Sequence, residues 1–122
     1  MAESVMLEKA IDFAVDIVTL CKEIKESNRE SVLTNQLLRS GTSIGANIHE
    51  SKYAHSAADF ISKMQIALKE CYESEYWLEL LNRTGYIADE RYQKILNACG
   101  AIRRMLISSS NTVKKNNGPD KE

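Results

Sequence analysis

Residues 36–50, QLLRSGTSIGANIHE, place two glycines inside an uninterrupted helical pattern of apolar residues. At about 100° per residue, one face of this helix carries apolar or small side chains at spacings of three or four. These residues are Leu33, Leu37, Gly41, Ile44, Ile48 and Ser51. Such a face is typical of a helix that packs nearly parallel to its neighbours. A glycine inside a helix costs roughly 1 kcal/mol relative to alanine. We therefore expect Gly41 and Gly45 to lie where another helix or a bulky side chain approaches closely.

Other uses of paired glycines fit this stretch less well. A phosphate-binding loop needs a spacing one residue longer and a lysine, which this stretch lacks. A transmembrane glycine pair needs an apolar span of about 20 residues, and no such span surrounds it. A local loop at Ser-Gly-Thr-Ser remains an alternative, although the helical period runs through it. A kink near Gly45 is compatible with close packing.

Three further segments repeat the helical period, so that we predict helices over about residues 4–26, 34–53, 57–83 and 89–115. A single proline, Pro119, and five glycines leave few breaks in the chain, which favours long helices over a β fold. A length of 122 residues corresponds to one domain. Short connections make successive helices antiparallel. We predict an all-α, up-down-up-down four-helix bundle over residues 1–115, followed by a disordered polar tail over residues 116–122.

Residues with capping chemistry stand at the predicted helix ends. Thr34 is the preferred N-cap of the second helix, with Ser31 as the alternative. Ser56 with Asp59 three residues later resembles a capping box at the start of the third helix. Gly85 is suited to end that helix in a left-handed conformation, and Asp89 places a negative charge at the start of the fourth.

Residues that could support redox or metal chemistry are few. Cys21, Cys71 and Cys99 each fall on the apolar face of a different predicted helix, which indicates buried, reduced thiols of a cytosolic protein. A di-iron bundle needs two Glu-x-x-His pairs. His49 and His55 are six residues apart and no glutamate lies three residues before either of them. We expect neither a metal nor a cofactor.

Glu75 lies in the apolar phase of the third helix and Arg103 lies close to that of the fourth. Antiparallel packing would bring the two into a buried or half-buried ion pair. The alternative is a carboxylate that binds a ligand or takes part in catalysis. No Gly-x-Ser-x-Gly motif or nucleophile–base pair accompanies it. We expect that the protein is not an enzyme.

Charge is unevenly distributed along a chain whose net charge is −1. Residues 91–122 carry seven basic and two acidic side chains, which is a weak indication of an anionic partner. The candidate nucleic-acid contacts on the outer side of the fourth helix are Lys94, Arg104, Lys114 and Lys115. A solvated polar face is the alternative interpretation. No aromatic residue interleaves with these basic residues, so any binding should be directed to phosphates and sensitive to salt.

Two surfaces of the predicted bundle are candidates for subunit contact. The first helix has an apolar arc wider than one burying surface requires, which includes Ile11, Val15 and Val18. The candidate interface residues on the outer sides of the third and second helices are Ile66, Trp77, Leu80, Arg39, Ser43, Asn47 and Glu50. A tryptophan with aliphatic neighbours is favoured at interfaces, although scattered surface residues are the alternative.

Residues 36–50, together with residues 59–81, DFISKMQIALKECYESEYWLELL, resemble the four-helix-bundle proteins linked to intervening sequences of bacterial 23S ribosomal RNA genes. The likeness extends from about residue 13 to residue 107. It departs at residues 49–51, His-Glu-Ser, where the family commonly has Ala-Glu-Ala, and at Ala88, where a Ser or Asp cap is usual. The family is similar in fold to the accessory protein that assists reverse transcriptase in diversity-generating retroelements.

The resemblance implies a homopentamer without enzymatic activity that contacts ribosomal RNA or a reverse-transcriptase-like protein. The expected function is therefore an oligomeric scaffold for structured RNA or for a nucleic-acid-processing partner. The alternative is a protein–protein assembly module without a nucleic-acid role. The N-terminal residues lack the pattern of a signal peptide, and we expect a cytoplasmic bacterial protein without a membrane partner.

Overall fold

The computed structural model describes residues 2–117, and the side chains of residues 4–116. It contains four helices: α1 (Ala2–Asn28), α2 (Val32–Ser51), α3 (Ala57–Arg83) and α4 (Asp89–Asn117). Each helix packs against the next and α1 packs against α4, so the four helices enclose one core. No strand occurs within the described residues. The predicted all-α four-helix bundle is confirmed.

The ends of α4 and α2 differ slightly from the prediction. Asn116 and Asn117, expected in the tail, belong to α4, whereas residues 118–122 lie outside the described part of the chain. α2 ends at Ser51 rather than near Tyr53. Backbone hydrogen bonds between residues three apart continue the chain for one more turn. In one of them, the backbone N–H of Tyr53 donates to the carbonyl oxygen of Glu50 at 3.0 Å.

The predicted N-cap of α2 was wrong. Thr34, the preferred residue, lies inside the first turn; the alternative, Ser31, stands at the N-cap position, but its side chain makes no capping hydrogen bond. The carboxylate of Glu30 instead accepts hydrogen bonds from the backbone N–H groups of Leu33, at 2.8 Å, and Thr34, at 2.9 Å. Arg29, with a φ of 57°, turns the chain immediately before Glu30. A glutamate two residues before the helix is outside the usual set of N-cap residues, which explains why the pattern missed it.

Glu30 gives the start of α2 a pH dependence. Desolvation alone would raise the pKa of Glu30, but hydrogen bonding from the backbone of Val32, Leu33 and Thr34 and from the Thr34 side chain together outweighs it and holds the pKa below its usual range. Because the folded pKa is below the unfolded value of about 4.3, ionised Glu30 stabilises the fold above that pH. This contribution is lost as the pH falls through the folded pKa.

We expect Glu30→Gln to lower the free energy of unfolding by about 0.5–1 kcal/mol at pH 7, since an amide oxygen is a weaker acceptor at a helix N-terminus. The difference from the wild type should shrink towards pH 3. Urea unfolding of both proteins at pH 7 and pH 3 measures it. A difference that does not change with pH would contradict the role of the carboxylate charge.

The ends of α3 follow the prediction. Ser56 Oγ accepts a hydrogen bond from the backbone N–H of Asp59 at 3.1 Å, and the carboxylate of Asp59 accepts one from the backbone N–H of His55 at 3.1 Å. Gly85 has a φ of +88° and ends the helix in the left-handed region. Asn82 then fixes the connection to α4, because its side-chain amide donates to the Asp89 carboxylate at 2.8 Å.

Both predicted glycines of α2 face α1, and the predicted close approach occurs at Gly41. A Cβ atom added to Gly41 would lie 3.0 Å from Cγ2 of Ile17, a side chain fully buried in the core. Gly45 faces Ala10, and an added Cβ would meet it at an ordinary distance of 3.6 Å. A side chain at position 41 would therefore have to displace Ile17, whereas position 45 has room for one more carbon.

α2 also approaches α3 closely through small residues. Ser40 and Ser74 are both fully buried, and the hydroxyl of Ser74 donates to that of Ser40 at 2.9 Å. The Ser40 hydroxyl in turn donates to the carbonyl oxygen of Leu37 at 3.3 Å. The two hydroxyls are therefore satisfied inside the core, and the short side chains keep the two helices together.

Candidate interaction surfaces

The outer side of α1 carries an exposed apolar face. Ile11, Val15 and Val18 are 47%, 58% and 47% exposed, whereas the opposite side of the helix lies in the core. Between α1 and α2 these residues border an open groove of about 350 Å³. Its other lining residues are small: Ala10, Ala14, Thr19, Thr42, Gly45 and Ala46. The wide apolar arc that was predicted for the first helix therefore faces outwards in the single chain.

The α2–α3 face is held together by ion pairs within the chain. Arg39 pairs with Glu70 at 3.4 Å and with Glu73. Glu73 also accepts a hydrogen bond from Nε1 of Trp77 at 2.9 Å. The Trp77 ring is partly buried and meets Tyr76 edge-on, with ring centroids 4.9 Å apart. The structure thus joins two of the predicted interface residues, Arg39 and Trp77, through the carboxylate of Glu73.

The remaining predicted interface residues lie along the same face with local partners. Glu50 pairs with Lys63 of α3 at 3.1 Å. The hydroxyl of Ser43 donates to the carbonyl oxygen of Arg39 at 2.7 Å, and the amide of Asn47 donates to the carbonyl oxygen of Ser43 at 2.9 Å. Leu80 is half-buried and Ile66 is exposed. Their role in subunit contact stays a prediction.

The basic residues of α4 divide into paired and unpaired groups. Arg91 pairs with Glu23 of α1, and Arg103 pairs with Glu75 of α3. The predicted nucleic-acid contacts are all exposed, and none of them forms an ion pair within the described residues: Lys94, Arg104, Lys114 and Lys115. Arg104 and Lys115 are about three turns apart and share one side of the helix, whereas Lys94 and Lys114 project about 160° apart. The four therefore form a spread of positive charge rather than a compact pocket.

Lys94 also borders a cleft that sequence reasoning missed. This cleft of about 640 Å³ lies between α1 and α4, and its charged lining residues are Asp16, Glu90, Arg91 and Lys94. The two acidic and two basic groups balance each other. No charge preference for a ligand follows from this lining.

The predicted ion pair between α3 and α4 is confirmed. Nε of Arg103 lies 2.9 Å from the carboxylate of Glu75, and the two side chains are 29% and 22% exposed. The hydrogen bond with Glu75 raises the pKa of Arg103. The guanidinium also lies over the Tyr72 ring, 5.8 Å from its centroid. Glu75 is thus paired with the guanidinium of Arg103 between α3 and α4. This agrees with the predicted ion pair rather than with a carboxylate that binds a ligand or takes part in catalysis.

The three thiols are buried and free. Cys21 Sγ donates to the carbonyl oxygen of Thr34 at 3.4 Å, and burial raises the pKa of Cys21 to about 11. Cys99 Sγ donates to the carbonyl oxygen of Cys71 at 3.6 Å, and its hydrogen bonding to Cys71 together with burial raises the pKa of Cys99. Protonated, buried thiols react slowly. These cysteines pack as small apolar side chains.

Clusters of metal-binding side chains do not occur in the described part of the chain. In residues 2–117, helices that combine the length and the apolar character needed to cross a bilayer are also absent. What distinguishes the molecule is its surfaces: the apolar face on α1, the ion-paired α2–α3 face and the unpaired basic residues of α4. Fold and surfaces together define the class as a small all-α bundle protein of four helices.

Comparison with known proteins then identifies the family. The model of the 23S rRNA-intervening sequence protein family matches residues 2–108, and the chain belongs to this family. A crystal structure of a protein of unknown function from the S23 ribosomal protein family of Bacteroides thetaiotaomicron is similar to it. That structure has a TM-score of 0.89 and 51% identity, and the match covers 91% of this chain and 99% of that one. No curated protein matches the chain.

Proposed function

We propose that the protein is a non-enzymatic scaffold that assembles into an oligomer and contacts the phosphates of structured RNA through α4. The observation that carries this proposal is the charge of α4. Residues 91–117 include six basic side chains and no acidic one. Glutamates of α1 and α3 neutralise two of the six, Arg91 and Arg103. Four positive charges remain, along about 32 Å of helix.

Such an arrangement suits a phosphate backbone better than a small ligand. Lysine and arginine contacts to phosphates give affinity without sequence preference, and they depend strongly on salt. The described residues of α4 expose no tryptophan, tyrosine or phenylalanine beside these four basic residues, so base stacking is not expected. The chain belongs to the family of 23S rRNA-intervening sequence proteins. This membership supports RNA as the anionic partner of α4.

Assembly would multiply the charge of a single chain. The exposed apolar face of α1, formed by Ile11, Val15 and Val18, supports self-association because burial of exposed aliphatic side chains is favourable. Several copies that each carry four unpaired cations would bind one RNA with much greater avidity than one copy. The resemblance implies that five copies close into one ring.

The proposal is tested by light-scattering mass and RNA binding. We expect the purified protein to be an oligomer that binds a structured ribosomal RNA fragment at 50 mM salt and releases it at 500 mM. Arg104→Glu combined with Lys115→Glu should weaken binding by about tenfold or more, since two phosphate contacts are lost in each copy. The matched control, Lys52→Glu with Lys69→Glu, changes the net charge equally at exposed residues away from α4.

Equal weakening by both double variants would show that net charge rather than α4 governs binding, and would contradict the proposed site. A protein–protein assembly module is the second candidate, which the extensive apolar face of α1 favours. If the protein is an oligomer that binds no RNA at either salt concentration, the RNA scaffold is contradicted and the protein–protein assembly module is supported.

A further inference from the structure

The outward side of α1 has a pattern that the bundle itself does not use. Glu8, Ile11, Val15, Val18 and Lys22 follow one another at spacings of three, four, three and four, and all five are exposed. This is the spacing of a helix seam, in which side chains line up along one side. The seam points away from the core, where Met6, Phe13 and Ile17 fill the opposite side of the same helix. α1 thus has two apolar stripes, and the bundle buries one of them.

The ends of this seam identify what covers it. Glu8 and Lys22 lie on either side of the three aliphatic residues, and Val5, which is also exposed, follows the same spacing before Glu8. Neither Glu8 nor Lys22 forms an ion pair within the described residues. When the seam is laid on a second copy of itself in the opposite direction, each glutamate meets a lysine. Laid in the same direction, it would place glutamate against glutamate and lysine against lysine, which is unfavourable.

Gly45 provides an independent indication that the groove beside the seam is used. A glycine in a helix interior is unfavourable by roughly 1 kcal/mol, so it needs a reason. Packing within the chain does not supply one, because a Cβ at this position would sit 3.6 Å from Ala10. Gly45 lines the groove together with Ala14 and Ala46. The absence of a side chain keeps the groove open for aliphatic side chains from outside the chain.

We propose that two copies of this chain contact each other through α1, antiparallel and about a two-fold axis near Val15. Ile11, Val15 and Val18 of each copy pack on the seam and groove of the other, and Glu8 of each faces Lys22 of the other. The inference rests on the self-association in the proposed function and specifies one of its contacts. A two-fold contact pairs copies. It forms a dimer by itself, and it joins two rings if another surface closes five copies into a ring.

Cross-linking tests the two-fold axis directly. In a two-fold contact Val15 lies near its own counterpart, whereas in a head-to-tail contact it faces a different surface. Val15→Cys treated with a short bis-maleimide should therefore give a covalent dimer on a denaturing gel. Val32→Cys, on α2 and 73% exposed, is the control that should stay single. The three native cysteines are buried, so they do not compete for the reagent.

A charge exchange tests the register. Lys22→Glu or Glu8→Lys alone should weaken association several-fold, up to about tenfold, because each substitution acts twice in a symmetric contact. The double exchange restores both pairs and should restore the affinity measured by light scattering across a dilution series. Restoration is specific to a contact in which the seam meets itself.

The outcomes separate this inference from the proposed function. An oligomer in which Val15→Cys does not cross-link, or in which the double exchange does not restore association, overturns the two-fold contact and leaves the scaffold in place. A wild-type mass equal to one chain at all concentrations overturns self-association and the contact together. RNA binding by α4 is measured separately and does not decide either result.

Discussion

Replacement of Gly41 by valine is expected to lower the free energy of unfolding by about 2–3 kcal/mol, the range of an overpacked core. A single added Cβ would already lie 3.0 Å from Cγ2 and 3.1 Å from Cγ1 of Ile17. Valine adds two further methyl groups on the same side. Ile17 is fully buried between the helices, so it can move away only by displacing other core side chains. The loss should appear in urea unfolding monitored by helical circular dichroism.

Gly45→Ala is the matched control for this substitution. It lies one turn further along α2, also against α1, but the added carbon meets Ala10 at 3.6 Å. We expect it to raise the stability of the single chain by about 0.5–1 kcal/mol, because alanine favours the helix. Both variants should be measured at low protein concentration, so that self-association does not contribute to the result. A loss of stability at both positions would contradict the difference in packing that the structure shows.

Ser74→Leu is expected to lower the free energy of unfolding by about 3 kcal/mol. The hydroxyl of Ser74 lies 2.9 Å from that of Ser40 in a fully buried position between α2 and α3. Leucine is too large for this approach and would push the two helices apart. The Ser40 hydroxyl would keep its bond to the Leu37 carbonyl oxygen, so the loss would come from packing rather than from an unsatisfied group.

Ser62→Leu is the control for this second substitution, because Ser62 is exposed on the same helix. A surface change of this kind should alter stability by at most about 0.5 kcal/mol. Guanidinium unfolding of the two variants beside the wild type makes the comparison. If both serine substitutions had equal effects, the close approach of α2 and α3 at Ser74 would not limit side-chain size.

The helical period predicted the elements of this fold, and local capping chemistry predicted both ends of α3 and the start of α4. The period specifies which side of a helix is buried, and so it indicated both the core and the second apolar stripe of α1. The exception at Glu30 has a physical cause: the left-handed Arg29 bends the chain so that a carboxylate outside the helix reaches its first amides. That geometry is not visible in a list of residue preferences.

The contacts between particular side chains of different helices were harder to predict than the side of each helix that is buried. The Glu75–Arg103 pair could be predicted because each charge interrupts an apolar stripe of an adjacent helix. The pairing of Arg39 with Glu70 and Glu73 could not be predicted. All three residues lie on polar faces, where the sequence does not specify how α2 is rotated or shifted along its axis relative to α3. The same limit applies to the α1 seam, whose expected partner belongs to another molecule.

The even number of helices has a consequence for how this chain can be rearranged. Four alternating helices bring the last turn of α4 back to the end of the bundle at which α1 starts, and α1 and α4 are neighbours. The order in which the helices are joined is therefore separable from the way in which they pack. A short bridge from α4 to α1, with a new opening between α2 and α3, would encode the same core as a circular permutant. Reporter groups placed at the start of α1 and at the end of α4 would both mark one pole of the molecule.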